Sequence, residues 1–126
     1  MKKWILLMIL FLAQAGYAWT LKPGTYNLSG GNSFWGSSYE GEVVICPNGE
    51  NYRVIWKIGT SQTQVGVGVL QGDILSVAFT DLSKPSFWGV ISYRVKPFGE
   101  LEGKWASYES HSQKAEYLVW KNDFIY

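Results

Sequence analysis

The chain has 126 residues and a formal net charge of +1, which confines it to one domain with a modest core. Seven Trp, eight Tyr and six Phe make up 17% of it, charged residues another 17%, and there are 14 Gly. This mixture excludes a disordered chain and a helical bundle, and one His with one Cys is too few for most metal sites and His-dependent catalysis.

Lys2 and Lys3 followed by the apolar run 4–13 predict a secretory signal peptide, with Gly16 and Ala18 at the small-residue positions of a cleavage site. The run falls short of the roughly 20 residues that a membrane span needs, so cleavage is expected rather than a stable transmembrane anchor. No Cys follows the site, which argues against a lipid anchor. Residues 1–18 are read as the signal and 19–126 as one mature domain, periplasmic or secreted. Cleavage takes the basic residues from 11 to 9 against ten acidic ones, and the net charge from +1 to −1. Such a domain carries no electrostatic footprint for nucleic acid. Cys46 has no internal partner. It is either an inert strand-end thiol or a link between two chains.

Residues 19–38 read as an N-terminal lead-in with one short strand, 25–28, among the turn signals Pro23-Gly24, Gly30-Gly31 and Gly36-Ser37-Ser38. From Tyr39 to residue 126 short β-forming runs alternate with turns, the cadence of an antiparallel barrel or sandwich. Strands 39–46 and 51–58 flank Asn48-Gly49, a strong hairpin pair, and Tyr52, Val54, Trp56 and Ile58 share one face. Strand 62–70 sets Val65, Val67 and Val69 on one face and Gly66 and Gly68 on the other; strand 74–80 aligns Leu75, Val77 and Phe79. A longer loop, 81–87, leads to strand 88–95, where Ile91, Tyr93 and Val95 align. The turn 96–100, strand 101–105, polar loop 108–113 and strand 114–120 complete the chain. No run keeps a 3.6-residue apolar period, so little or no helix is expected. The fold class is all-β: a seven- or eight-stranded antiparallel up-and-down meander closing into a small barrel, with a two-sheet sandwich as the alternative.

Two groups of aromatics stand out. Trp35, Phe87, Trp88 and Phe98 lie in or beside Gly-, Ser- and Pro-rich loops; they are either binding aromatics or plugs for the barrel ends. Tyr52, Trp56, Tyr93 and Trp105 fall on apolar strand faces, as core packing or as contacts for a ligand inside the barrel. Gly recurs two residues from an aromatic, as in Tyr39-Glu-Gly41 and Gly103-Lys-Trp105, which suits rings covering bare glycines on a neighbouring strand. Catalysis has little to stand on. His111 sits in a polar loop, Asp73 and Asp81 are turn residues, and Glu40 and Glu42 share a wet face. No enzyme activity, cofactor or metal is expected, a hydrolase using Glu40 and Glu42 or His111 being the remaining option.

The ordered set Tyr39-x-Gly41, Tyr52-x-Val54-x-Trp56-x-Ile58-Gly59, Gly66-Val-Gly68, Gly72-Asp-x-Leu-Ser-Val77, Gly89-Val90-x-x-Tyr93 and Leu101-x-Gly103-x-Trp105 resembles a family of small exported bacterial proteins, some labelled fibronectin-binding protein. The resemblance covers about 39–106 and implies adhesion to a host extracellular-matrix or envelope protein. It carries no set of binding residues. The spacing is also similar to calycin-type barrels, although their Gly-x-Trp stands near the N-terminus and this one at 103–105. The expected function is therefore a non-enzymatic binding module that engages a partner through loop aromatics or a strand edge. The alternative is a carrier of a small apolar ligand within the barrel.

Overall fold

Period-two patterning runs through nearly every segment, and the backbone follows it. The computed structural model describes residues 20–32 and 37–123; the expected signal peptide and Trp35 lie outside them. The strands are β1 (Gly24–Asn32), β2 (Ser37–Asn48), β3 (Asn51–Ile58), β4 (Gln62–Gln71), β5 (Ile74–Asp81), β6 (Trp88–Lys96), β7 (Glu100–Ser107) and β8 (Lys114–Asn122). Each pairs antiparallel with its sequence neighbours, and β1 pairs with β8, so an eight-stranded meander closes into a barrel. One ladder runs round all eight strands, which sets the sandwich aside. A single 3-10 turn, Pro97–Gly99, is the helical content of the described residues. Closure also removes the free strand edge through which strand addition to a partner was expected.

The first strand is longer than its sequence suggests. Gly30 and Gly31, which read as loop, continue β1, because Gly30 lies directly opposite Tyr39 of β2 and the Tyr39 ring covers it. That added length lets β1 bridge β2 and β8.

Inward positions hold the core: Tyr26, Leu28, Val43, Ile45, Val54, Trp56, Leu75, Val77, Phe79, Ile91, Tyr93, Val95, Leu101 and Leu118 are buried. In β4 the inward face is the glycine face, and Val67 and Val69 are more than half exposed. Space decides this. A Cβ at Gly66 would stand 2.5 Å from the Ala78 carbonyl oxygen and 3.1 Å from the Trp56 ring, so bare backbone here accommodates a buried indole. The outer wall carries charged and small residues beside exposed Ile55, Val67, Val69, Val90 and Val119. No described helix is long and apolar enough to cross a membrane.

The two ends differ. Around the β2–β3, β4–β5 and β6–β7 turns the barrel is sealed by the segment before β1. Leu21 is buried, Trp120 Nε1 donates to the Pro23 carbonyl at 3.2 Å, Tyr26 donates to the Lys22 carbonyl, and the Lys22 ammonium lies 3.6 Å from the Trp120 ring centroid. At the opposite end the described residues leave the interior partly open.

Gly103 on β7 faces Tyr93 on β6, and a Cβ there would stand 2.8 Å from the Tyr93 ring and 3.2 Å from Ile91. Gly103→Ala is expected to destabilise the barrel by about 1–3 kcal/mol, because Tyr93 is fully enclosed and cannot retreat. Val67→Ala on the outer wall should change stability by less than about 0.5 kcal/mol. Denaturant unfolding of the two variants checks the contrast.

Candidate functional site

Towards the open end the inward face of β8 stops being apolar. Leu118 is followed, one step nearer the mouth, by Glu116, which is only 6% exposed. A buried carboxylate needs hydrogen-bond donors, and the register brings them. Reading across the barrel wall, Tyr93, Gly103, Glu116, Gly30 and Tyr39 are successive cross-strand partners on β6, β7, β8, β1 and β2. The two glycines flank Glu116. With no side chain between, each tyrosine reaches over the neighbouring strand to the carboxylate.

The network has a direction. Trp105 Nε1 donates to Tyr39 Oη at 2.8 Å, and Tyr39 donates to Glu116 Oε1 at 2.9 Å. Trp56 Nε1 donates to Tyr93 Oη at 2.9 Å, and Tyr93 donates to Glu116 Oε2. Trp56 Nε1 also reaches Oε2 at 3.3 Å. Indole N–H groups only donate, so each tyrosyl oxygen accepts from a tryptophan and spends its single proton on the carboxylate. Both relays end at Glu116.

Electrostatics works both ways here. Burial raises the Glu116 pKa above its ordinary value, and the hydrogen bonds from Tyr93, Tyr39 and Trp56 oppose that rise without cancelling it. Burial, and then the Glu116 charge, raise Tyr39 and Tyr93 well above the usual tyrosine range, so both stay donors at neutral pH.

Above this floor lies a cavity of about 170 Å³, walled by Trp56, Phe79, Phe87 and Trp105 and edged by Gln62, Gln64 and Lys114. The rings meet edge to face: Phe79 lies 5.9 Å from Trp56 and 6.0 Å from Trp105, and Phe87 lies 6.3 Å from Trp105. Asp81 ties down the rim. Its Oδ1 accepts from Ser83 N at 2.9 Å, Ser83 Oγ at 2.8 Å and Lys84 N at 3.0 Å, and its Oδ2 from Gln62 at 3.2 Å. The Ser83 hydroxyl bond is the chief reason its pKa falls below the ordinary value. The wider hollows, including one of about 760 Å³ beside Arg94, Glu102 and Lys104, are depressions of the outer wall.

No family model, curated protein or solved structure matches this chain.

The structure brings together part of each expected residue group. Trp56 and Trp105 line the cavity; Tyr93 lies beneath it, bonded to Trp56 and Glu116; Tyr52 packs half-buried on the core away from the mouth. Of the loop aromatics, Phe87 turns inward to the cavity. Trp88 faces out, 45% exposed and stacked on Tyr108 at 4.8 Å. Phe98 is 95% exposed at the other end of the barrel, in a left-handed conformation (φ 63°) unusual for a bulky residue. Phe87, Trp88 and Phe98 therefore form no common surface. Glu40 and His111 are exposed, and Glu42 pairs with Lys121 at 2.7 Å on the outer wall. Cys46 is half-buried, its thiol 3.7 Å from the Pro47 carbonyl oxygen. Among the described residues no three His, Cys, Asp or Glu side chains are grouped to hold a metal.

Glu116, with its partner Tyr39, escaped the sequence reading. Residues 115, 117 and 119 (Ala, Tyr, Val) are as apolar as 116, 118 and 120 (Glu, Leu, Trp), so alternation alone does not choose the inward face. The usable signal was the pair of glycines, at 30 and 103, that the pairing places on either side of it.

A raised carboxyl pKa fixes the sign of a pH effect. The folded state holds the Glu116 proton more tightly than the unfolded chain. This contribution to stability is fully present below the ordinary value of 4.5 and is lost as pH rises through the raised one. Wild-type stability relative to Glu116→Gln should therefore fall across that interval and level off above it. Thermal melts of the two proteins over an acid-to-neutral pH series measure the difference.

Proposed function

We propose that this chain is a non-enzymatic binding barrel that holds one small ligand in its open mouth. The observation that carries the reading is the aromatic-walled cavity of about 170 Å³ with a buried, hydrogen-bonded carboxylate at its floor. Eight strands enclose just enough space either to be filled by side chains or to hold one small molecule. This barrel does the first in its sealed half and leaves the second at its mouth. The volume is below the roughly 300 Å³ at which drug-sized sites begin. It suits a molecule about the size of benzene, which another protein holds in a cavity of about 150 Å³. The cavity supports a narrower version of the carrier alternative, for a small ligand with a polar end.

Gln64 is buried and lines the cavity, so Gln64→Phe would place a ring in the ligand space. Wild-type protein should give a saturable change in Trp56 and Trp105 fluorescence with benzyl alcohol, and Gln64→Phe should weaken it about tenfold or more while remaining folded. Unchanged binding by a folded Gln64→Phe would remove the mouth as the site.

A second reading keeps a protein partner, as the family resemblance implies. The exposed stack of Trp88 on Tyr108 supports it, since flat aromatics with little entropy to lose commonly anchor interfaces. On this reading the purified protein binds immobilised fibronectin saturably, and a Trp88→Ala, Tyr108→Ala double variant loses at least about tenfold in affinity. Wild-type protein that fails to bind at micromolar concentration removes that reading.

A further inference from the structure

We propose that the ligand of the mouth is a small organic cation, its ammonium group seated against Glu116 and its apolar body held among Trp56, Phe79, Phe87 and Trp105. The proposal rests on the mouth-binding reading above and adds the sign of the charge.

The first argument is a buried carboxyl that accepts donors on both oxygens and has no cation bonded to it. All three groups bonded to Glu116 are neutral donors, Tyr39, Tyr93 and Trp56. The ion pairs among the described residues, Lys96–Glu102 and Lys121–Glu42, lie on the outer wall. Neutral donors satisfy lone pairs but leave the net charge in place, and buried charges are ordinarily paired. The second argument is capacity. A carboxylate offers about four acceptor directions, and the bonds from Tyr39, Tyr93 and Trp56 use three, leaving room on Oε1 for one more donor.

The walls give the third argument. Aromatic faces carry negative potential and attract cations, most strongly where water is excluded. The protein already shows this at the rim, where the Lys114 ammonium lies 5.3 Å from the Trp105 ring centroid. Lys114 is exposed and stands two residues before Glu116 on the same inward-facing row, so it borders the site rather than neutralising its floor. An anionic ligand would meet the Glu116 charge at the bottom. A neutral one would gain a hydrogen bond and leave that charge unbalanced.

Calorimetric titration of the purified protein at neutral pH with benzylammonium, benzyl alcohol and benzoate separates these cases. Benzylammonium is expected to bind about tenfold or more tightly than benzyl alcohol, with benzoate weakest. Glu116→Gln keeps the shape and removes the charge, so it should bring ammonium and alcohol within about twofold of each other. Lys114→Gln, a change on the exposed rim, should tighten ammonium binding about two- to threefold by freeing the Trp105 face and removing a repelling charge. Benzyl alcohol binding as tightly as benzylammonium, an ammonium preference that survives Glu116→Gln, or ammonium binding weakened by Lys114→Gln would each overturn the proposal while leaving the mouth a ligand site. If none of the three probes binds, the mouth-binding reading falls with it.

Discussion

A carboxylate inside a barrel is a constraint the rest of the structure has to meet. Glu116 is nearly sealed from water, so an unbonded charge there would cost several kcal/mol. The chain meets it with Trp105→Tyr39→Glu116 on one side and Trp56→Tyr93→Glu116 on the other. The side chains involved come from β2, β3, β6, β7 and β8. A network whose members polarise one another in low dielectric is sensitive to the position of each. It therefore fixes the register of strands that are far apart in sequence, which packing of interchangeable aliphatic side chains would do less sharply.

The glycines follow from the same constraint. Gly30 and Gly103 flank Glu116 on both neighbouring strands, and each is covered by the ring of the next strand along. A side chain at either position would keep its tyrosine from the carboxylate. Their effect is geometric: they widen the interior locally at the level where polar groups must converge. Below that level Leu28, Leu101 and Leu118 fill the barrel, and Leu21 with Trp120 seals it. Above it the rings brace each other edge to face around the cavity.

Much of the fold was legible in the sequence, because one property, alternation with period two, specifies the strands and, in β3, β5, β6 and β7, their inward faces. Gly49, Gly59 and Gly72 mark turns where the backbone does take positive φ, although the first hairpin turns at Gly49-Glu50, with Asn48 still paired in β2. The lead-in was harder. Gly30-Gly31 carries the local signature of a loop, and only the Tyr39 ring on the neighbouring strand makes it strand. The site was legible in part. Trp56 and Trp105 announced themselves as inward aromatics, but inward Glu116 was hidden by a strand apolar on both faces. Phe87 and Trp88 are adjacent, so a one-residue step sends them to opposite sides of the wall. No loop-composition rule distinguishes them; the start of β6 does.

Choosing neutral donors over a lysine or arginine has a consequence for function. An internal cation would have made the floor of the mouth electrically neutral and the barrel a container selective mainly by shape. Phenols and indoles favour the ionised form of Glu116 by hydrogen bonding but bring no opposite charge to neutralise it. The aromatic walls around it lower the local dielectric, and so strengthen the pull that carboxylate exerts on a nearby cation. Lys114 lies close enough to stack over Trp105 but out in solvent, where its own field is damped. The mouth thus separates a negative group held deep, Glu116, from a positive one held at the exposed rim, Lys114, and a molecule entering it would meet the stronger field at the bottom.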